Sequence, residues 1–431
     1  MEESDGSEQV SIEIEELNKR LACSLRERLR DESPLSENCI FKVPWTLRQH
    51  NEASYEPKIV SIGPFHRGKN RIQHMEKVKM WYLNCLLARF PFPPEVILQD
   101  WVESIGEVAK RTRNCYGETI DLNESELVEI MIVDGCFILE IFRKDAWLVH
   151  RDIDDPLYET SWMYENLYHD LILLENQIPW FILERLFNLT LSDHEQEQDF
   201  LSKLVLAFFE TTMLMTMPGE YKPKGREIKH ILDLLHNSIL CSSQENEPTE
   251  YPWEFFPHVT ELLRAGVKFE KGARADILDI EFSDGVFKIP PIRIRGNSES
   301  LFRNLIAYEQ CDCPYSPRFT SYAVFLDSLI NTSKDADLLV KEGILVPRLS
   351  TEDLATLFNR LYNGTLVYDL YYGGVARKIN EYQRSRWPNW KAMLRQDYFS
   401  NPWSISSFIA AIVLLCFSFL QTLFTILSYK S

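Results

Sequence analysis

The chain has 431 residues, of which 45 % are hydrophobic and 26 % are charged, so it can bury a sizeable core and leaves little room for long disordered stretches. Its 46 Lys and Arg residues against 64 Asp and Glu residues give a formal net charge of -18, and such a field repels a phosphate backbone. Nucleic acid is therefore excluded as an expected partner.

Residues 1–36 form an acidic N-terminal segment with one predicted amphipathic helix. The segment lacks the basic and apolar regions of a secretory signal. Its apolar side chains recur every three or four residues, which is helical periodicity: Val10, Ile14, Leu17, Leu21, Leu25 and Leu29. We expect this helix to pack onto its own domain, with a coiled-coil-like contact to a partner as the alternative.

Residues 37–400 are predicted to form one mainly helical domain. After a turn-rich segment, Ile40 to Gly68, apolar spacing predicts the first helices at Ile72 to Phe90, Glu95 to Tyr116, Asn123 to Lys144, a segment ending near Asn176, Asp193 to Met215 and Glu227 to Leu240. Asn123 and Glu126 have the spacing of a capping box. The polar stretch 241–252 is a candidate subdomain boundary.

A small antiparallel sheet is predicted next, from the strand-like runs Val267 to Phe269, Ile277 to Phe282 and Val286 to Ile289, the last two joined by a turn at Ser283-Asp284-Gly285. Helical periodicity then returns at Glu299 to Gln310, Thr320 to Asn331, Asp335 to Glu342, Thr351 to Tyr362 and Tyr368 to Tyr398. The predicted fold class is mainly α (α+β), a compact irregular helical domain with a small sheet.

Residues 403–429 are predicted to be a C-terminal transmembrane helix. The run Phe408 to Leu427 carries no charge, and at about 1.5 Å per residue it is roughly 30 Å long, which matches a hydrocarbon core. Residues 405–428 are thus expected to contact a lipid bilayer. Basic residues before the span outnumber those after it, which places the bulk of the chain in the cytosol, with the plasma membrane as the expected membrane.

Four sequences of the glycosylation acceptor pattern favour the opposite topology, an extracellular domain. They begin at Asn123, Asn188, Asn331 and Asn363. They matter only if the domain is extracytoplasmic, so the cytosolic placement stays our expectation.

The usual signatures of covalent, nucleotide and zinc-protease chemistry do not occur in the chain. The nine cysteines have no disulfide-scaffold spacing, and we expect reduced thiols. Cys311-x-Cys313 is the closest cysteine pair, but it has no nearby histidine to complete a metal site. His66 and His74 are interpreted as solvated or capping residues. No catalytic, cofactor-binding or metal-binding residue is assigned.

Polar residues interrupt two strongly apolar runs. Asp134 does so within Ile130 to Ile141, and Leu167 to Phe181 is interrupted by Asp170, Glu175, Asn176 and Gln177. Burying such groups without partners costs roughly 1 to 3 kcal/mol each, so partners must exist. The main interpretation is capping of neighbouring backbone. The alternative is a pair of carboxylates doing acid/base work in a shared cleft.

A series of ordered motifs resembles a plant-specific family, that of the Domain of Unknown Function 247. The matching residues run from Ile40 to Tyr429 and include Val43-Pro44-x-x-Leu47-Arg48, Val60-Ser61-Ile62-Gly63-Pro64-Phe65-His66, Met75-Glu76-x-x-Lys79, Asp134-Gly135-Cys136-Phe137, Leu173-Leu174-Glu175-Asn176-Gln177-Ile178-Pro179 and Asn401-Pro402-Trp403. The chain departs from the family pattern at His66-Arg67, where two adjacent histidines are commoner.

The resemblance implies a plant protein associated with a membrane. Some grass relatives are male determinants of self-incompatibility, which implies recognition or signalling through protein contacts, and the family supplies no catalytic residues. The expected function is a non-enzymatic, membrane-tethered module that binds an unidentified protein partner, without a small-molecule cofactor. The alternative is a membrane-anchored enzyme that uses Asp134, Asp170 or Glu175.

Overall fold

The computed structural model describes residues 17–26, 38–191, 195, 199–210, 227–240, 255–272, 277–312, 317–367, 370–384 and 402–430, the last with side chains at 406–407 and 409–422. The helices are α1 (residues 17–26), α2 (Trp45–Arg48), α3 (Met75–Leu87), α4 (Pro94–Gly106), α5 (Ala109–Asn114), α6 (Glu124–Asp145), α7 (Ser161–Leu171), α8 (Trp180–Leu189), α9 (Phe200–Phe209), α10 (Ile231–Leu240), α11 (Val259–Arg264), α12 (Ser298–Asp312), α13 (Arg318–Leu329), α14 (Ser333–Lys341), α15 (Thr351–Phe358), α16 (Gly373–Arg384) and α17 (Pro402–Lys430). The strands are β1 (Lys268–Lys271), β2 (Glu281–Ser283), β3 (Val286–Ile289), β4 (Ile292–Ile294) and β5 (Leu345–Pro347).

Helix α6 is the centre of the N-terminal half of the fold. Helices α3, α4, α5, α8 and α9 all contact it, and between Leu127 and Lys144 only Glu129 is exposed. A long apolar run on all sides of a helix is typical of a buried helix, which agrees with the position of α6. The predicted capping box is confirmed: the side chain of Asn123 accepts from the amide of Glu126, and the Glu126 carboxylate accepts from the amide of Asn123.

Helix α7 ends earlier than its apolar pattern predicts. It stops at Leu171 rather than near Asn176, because the next polar side chains bind the carbonyls that would continue the helix. The Asn176 amide donates to the Asp170 carbonyl at 2.9 Å, and the Gln177 amide donates to the Leu171 carbonyl at 2.8 Å. Periodicity alone does not reveal such a stop.

The sheet is small, as predicted, but it is mixed rather than antiparallel. Strands β2 and β3 form the predicted antiparallel hairpin, with positive φ at Asp284 and Gly285, as a tight hairpin turn requires. Strand β1 pairs with β3 in parallel, and a second, unpredicted pair of strands, β4 and β5, is also parallel. Apolar runs identify strands but do not fix the direction in which they pair.

One cluster of buried side chains joins the two halves of the fold. It includes residues of α3, α6 and α8 as well as residues of β3, α12, α13 and α16. The predicted boundary stretch 241–252 lies outside the described residues.

The expectation that the N-terminal amphipathic helix packs on its own domain is wrong for the residues described. Leu17, Leu21 and Leu25 of α1 are 66 %, 57 % and 54 % exposed. Periodicity predicted the helix correctly, but it cannot show what covers the apolar face. Val10, Ile14 and Leu29 lie outside the described residues.

The predicted transmembrane helix at residues 403–429 is corrected to a C-terminal helix, α17. Where side chains are described, no helix is both long and apolar enough to cross a membrane.

Candidate functional site

The three carboxylates named by the sequence converge on the extended backbone around residues 58–63. Asp170 lies at the end of α7 and accepts hydrogen bonds from three consecutive amides, at 2.8, 2.7 and 2.8 Å, those of Lys58, Ile59 and Val60. The carboxylate is fully buried. The carboxylate therefore supplies the hydrogen-bond acceptors that a neighbouring strand would otherwise give these amides.

Asp134 reaches the same segment from the middle of α6. Its Oδ2 accepts from the amide of Gly63 at 2.8 Å, and its Oδ1 accepts from the buried ammonium of Lys79 at 2.6 Å. Lys79 also donates to the carbonyl of Ser61 at 2.6 Å. Burial raises the pKa of Asp134, and the Lys79 charge opposes that shift. The pair holds α3 and α6 to the extended segment.

Glu175 extends the network toward α2. Its Oε1 accepts from the amide of Val43 at 2.6 Å and from the guanidinium of Arg48 at 2.5 Å. Arg48 also donates to Glu56 at 2.7 Å, and Glu56 pairs with Lys69. Alternating acidic and basic side chains thus connect the buried Glu175 with the partly exposed Lys69.

Asn176 and Gln177 complete the contacts of the extended segment. Oδ1 of Asn176 accepts from the amide of Ile62 at 2.7 Å, and its amide donates to the carbonyl of Val60 at 3.1 Å. Oε1 of Gln177 accepts from the amide of Leu232 in α10 at 3.2 Å. Backbone capping, the main interpretation of these polar residues, is therefore confirmed.

His66 lies next to Glu175, with its Nε2 at 3.4 Å from Oε2. The ring is buried, and neither nitrogen makes a hydrogen bond within the described part of the chain. Burial, followed by the nearby Lys69 charge, lowers the pKa of His66 to about 3. The imidazole is consequently neutral at physiological pH. The solvated role that the sequence predicted for His66 is wrong.

An open depression of about 480 Å³ lies at the outer end of this network. Its walls are formed by Glu52, Ala53, Glu56, Pro57, Lys69, Arg71 and Ile72. The buried carboxylates Asp134, Asp170 and Glu175 are not in these walls. A molecule in the depression would meet the pair Glu56 and Lys69 rather than the candidate catalytic groups.

The remaining candidates stay apart from the network. His74 is exposed at the start of α3, as expected of a solvated residue. Cys311 is half-buried in α12, and Cys313 is outside the described residues. Across the described ranges, no three His, Cys, Asp or Glu side chains are grouped so that they could hold a metal ion.

Sequence reasoning named the carboxylates but not their partners. Arg48 and Lys79 are the cations that make burial of Glu175 and Asp134 tolerable. Both occur in ordered motifs, Val43-Pro44-x-x-Leu47-Arg48 and Met75-Glu76-x-x-Lys79. Buried acids need charged partners. The basic residue at the end of each motif is therefore the sequence feature that could have identified these partners.

Comparison with known proteins gives a consistent match. Residues 40–417 match the profile of a plant protein of unknown function, DUF247. UPF0481 protein At3g47200 of Arabidopsis thaliana is 26 % identical over 91 % of this chain and 87 % of its own length. Putative UPF0481 protein At3g02645 of the same plant is 25 % identical over 94 % and 93 % of the two lengths. No solved structure matches significantly.

Proposed function

Because the chain belongs to the plant family of unknown function whose profile covers residues 40–417, we propose that it is a non-enzymatic module that binds another protein. The observation that carries this proposal is the state of the candidate catalytic acids. Asp134, Asp170 and Glu175 are at most 5 % exposed, and backbone amides occupy oxygens of all three. Acid/base catalysis needs a group within hydrogen-bond reach of substrate.

A loop at residues 146–160, here called the Trp147 loop, supports the binding role. Trp147 is 75 % exposed and has a φ of 60°, a backbone region that is a genuine outlier for a bulky side chain. Conformational strain of this kind persists only where the surroundings impose it, and it clusters at functional sites. The loop thus presents Trp147 to solvent in an imposed conformation.

Arg151 packs against the ring of Trp147. Its guanidinium carbon lies 4.2 Å from the ring centroid of Trp147 and 4.2 Å from that of Tyr158. Its Nε donates to the carbonyl of Lys144 at 3.0 Å. The cation–π contact restrains the Trp147 ring before a partner binds, so less side-chain entropy is lost on binding.

The base of the Trp147 loop is anchored by buried charge. The ammonium of Lys144, at the end of α6, donates to Asp155 at 2.8 Å, and Tyr82 of α3 donates to the same carboxylate at 2.7 Å. Lys144 and Asp155 are nearly or fully buried. The loop is accordingly joined to two helices of the core.

The exposed surface of the Trp147 loop is apolar with an acidic rim. Leu148 and Ile153 are 43 % and 89 % exposed, and the flanking Asp152, Asp154 and Glu159 are exposed acids. Aromatic anchors surrounded by complementary charge are typical of binding hot spots. The partner that fits is a protein segment in which apolar side chains alternate with Lys or Arg.

The test uses the full chain as bait in plant extract, with cross-linking and mass spectrometry. Trp147→Ala should weaken binding of the captured partner by about 30-fold, the effect of a hot spot worth about 2 kcal/mol. Trp45→Ala is the matched control, because Trp45 is also an exposed tryptophan, at 71 %. Retention of every partner by Trp147→Ala, or equal losses in both variants, would contradict the proposal.

One observation favours the alternative function, an enzyme. The neutral imidazole of His66 has no hydrogen-bond partner among the described residues and lies beside Glu175, and base and carboxylate pairs of this kind activate nucleophiles. The test is the biological function of Asp134→Asn, Asp170→Asn and Glu175→Gln proteins that remain folded. Loss of function at unchanged partner binding supports the enzyme, whereas full function in all three excludes it.

A further inference from the structure

Two buried cysteines lie side by side where the start of the main body meets the end of α5. The amides of Cys39 and Ile40 both donate to the carbonyl of Cys115, at 2.8 and 2.9 Å. The amide of Gly117 donates to the carbonyl of Ile40 at 2.9 Å, and Ile40 pairs with Tyr116 in a parallel bridge. Cys39 and Cys115 therefore each come directly before a residue of this bridge.

The hydrogen bond from the Cys39 amide to the Cys115 carbonyl brings the two cysteines into direct backbone contact. Disulfides form between cysteines whose Cα atoms are about 4.4 to 6.8 Å apart, a separation that such backbone contact allows. The Cys115 side chain is the first cause of the raised pKa of the Cys39 thiol, which agrees with the proximity of the two cysteines. Both residues are 6 % exposed and present as thiols in the structure.

We propose that Cys39 and Cys115 are a modification site, at which a peroxide oxidises the two thiols to an intramolecular disulfide. In the first step one thiolate attacks the peroxide, the O–O bond breaks, and a sulfenic acid forms, while the released hydroxide takes up the proton that the thiol had lost and becomes water. In the second step the other sulfur attacks the sulfenic sulfur, the S–O bond breaks, and water leaves with the remaining thiol proton. Two thiols lose two electrons and two protons, and hydrogen peroxide becomes two waters.

The surroundings determine how fast this happens. The Cys115 side chain and burial raise the pKa of the Cys39 thiol, so little thiolate exists at neutral pH. Oxidation of the folded protein is accordingly slow at pH 7 and faster at higher pH. The disulfide responds to sustained rather than brief exposure to peroxide.

The consequence of the disulfide is a covalent closure of the chain between residues 39 and 115. Without it, the contacts between these two segments include the three backbone hydrogen bonds above and the ion pair of Lys42 with Glu118. Cross-linking distant residues stabilises a fold chiefly by restricting the unfolded chain.

The experiment treats the full folded chain with hydrogen peroxide, blocks remaining thiols with an alkylating reagent, and maps peptides without reduction. We expect one linked peptide pair containing Cys39 and Cys115 that is two hydrogen atoms lighter than its parts. The thermal midpoint should rise by about 5 °C and return to its original value with dithiothreitol. Cys115→Ser should abolish both effects.

Cys85→Ser is the matched control, because Cys85 is a half-buried thiol on α3, and this variant should keep the linked pair. If Cys115→Ser fails to fold, the peptide map of the unaltered chain still decides. Alkylation of Cys39 and Cys115 after peroxide treatment, separate sulfinic acids at each, or linkage of either to another cysteine would overturn the proposal.

Discussion

Three consecutive backbone amides of a buried extended segment converge on Asp170. Leaving each amide without an acceptor would cost about 1 to 3 kcal/mol, and a carboxylate has enough lone pairs to serve all three. Asp134 serves Gly63 in the same way, with Lys79 balancing its charge. At the residue scale, acids in apolar runs are explained by the backbone they cap, and catalysis is not needed to account for them.

The glycine that ends this segment gives a direct test of the packing. Gly63 has a φ of +69°, and a Cβ atom there would lie 2.6 Å from the carbonyl oxygen of Gln177. Gly63→Ala should therefore lower the free energy of unfolding by about 2 kcal/mol or more. Chemical denaturation provides the measurement. Gly106→Ala is the control, since a Cβ there meets nothing within 4 Å, and its effect should stay within about 1 kcal/mol.

His66 predicts a dependence of stability on pH. Its folded-state pKa of about 3 lies below the unfolded value of about 6.5, so between these values the unfolded chain binds a proton that the folded protein does not. Stability therefore falls as pH drops from 6.5 toward 3, by about 2 kcal/mol between pH 6.5 and pH 5.

Denaturation of the His66→Gln protein between pH 7 and pH 5 checks this sign. The variant should lose less stability over that interval than the unaltered chain, whatever its absolute stability. His74→Gln, at an exposed position, should retain the full loss. An identical slope in His66→Gln and the unaltered chain would contradict a lowered pKa for His66 in the folded state.

At the element scale, some helix boundaries are determined by adjacent residues and others by residues distant in the chain. Helix α6 begins with a capping box four residues long, and α14 begins with the same device at Thr332 and Asp335. Helix α7, in contrast, is ended by Asn176 and Gln177, and these side chains also bind residues outside the helix, Ile62 and Leu232. The starts follow from adjacent sequence, whereas this end depends on the folded surroundings.

Substitution of Asn123 measures how much the N-terminal cap of α6 contributes to stability. Asn123→Ala removes the acceptor for the Glu126 amide and should lower the free energy of unfolding by about 1 kcal/mol. Asn123→Asp keeps a capping oxygen and should match the unaltered chain to within about 0.5 kcal/mol. Urea denaturation followed by circular dichroism distinguishes the two. Equal destabilisation by both substitutions would show that the Asn123 amide has another role.

At the scale of the whole molecule, a single buried cluster connects residues before and after the stretch 241–252. It includes Phe137 and Leu186 on one side and Phe287 and Phe325 on the other. Side chains that share one core lose their packing together, which makes unfolding cooperative. We therefore expect the described body to unfold as one unit.

Thermal unfolding followed by tryptophan fluorescence and by circular dichroism should give one transition with the same midpoint for both probes. The fluorescence signal favours the first half of the body, which holds exposed and buried tryptophans such as Trp101, Trp147 and Trp180, while circular dichroism reports on all helices. Two separate midpoints would instead establish a subdomain boundary between the halves.

The sequence by itself determined where most helices lie, the capping box of α6, the β2–β3 hairpin and membership of the plant family. The helices, the capping box and the hairpin arise from periodicity and turn chemistry that act over a few residues, whereas the family was identified from the resemblance of its ordered motifs. Tertiary structure alone decided which backbone groups meet Asp134, Asp170 and Glu175, because these partners are 71 to 132 residues apart in the chain. It also decided the direction of strand pairing, the exposure of Trp147 and of the α1 leucines, and the contact between Cys39 and Cys115. Each of these depends on which distant segments pack together, and no local pattern encodes that choice.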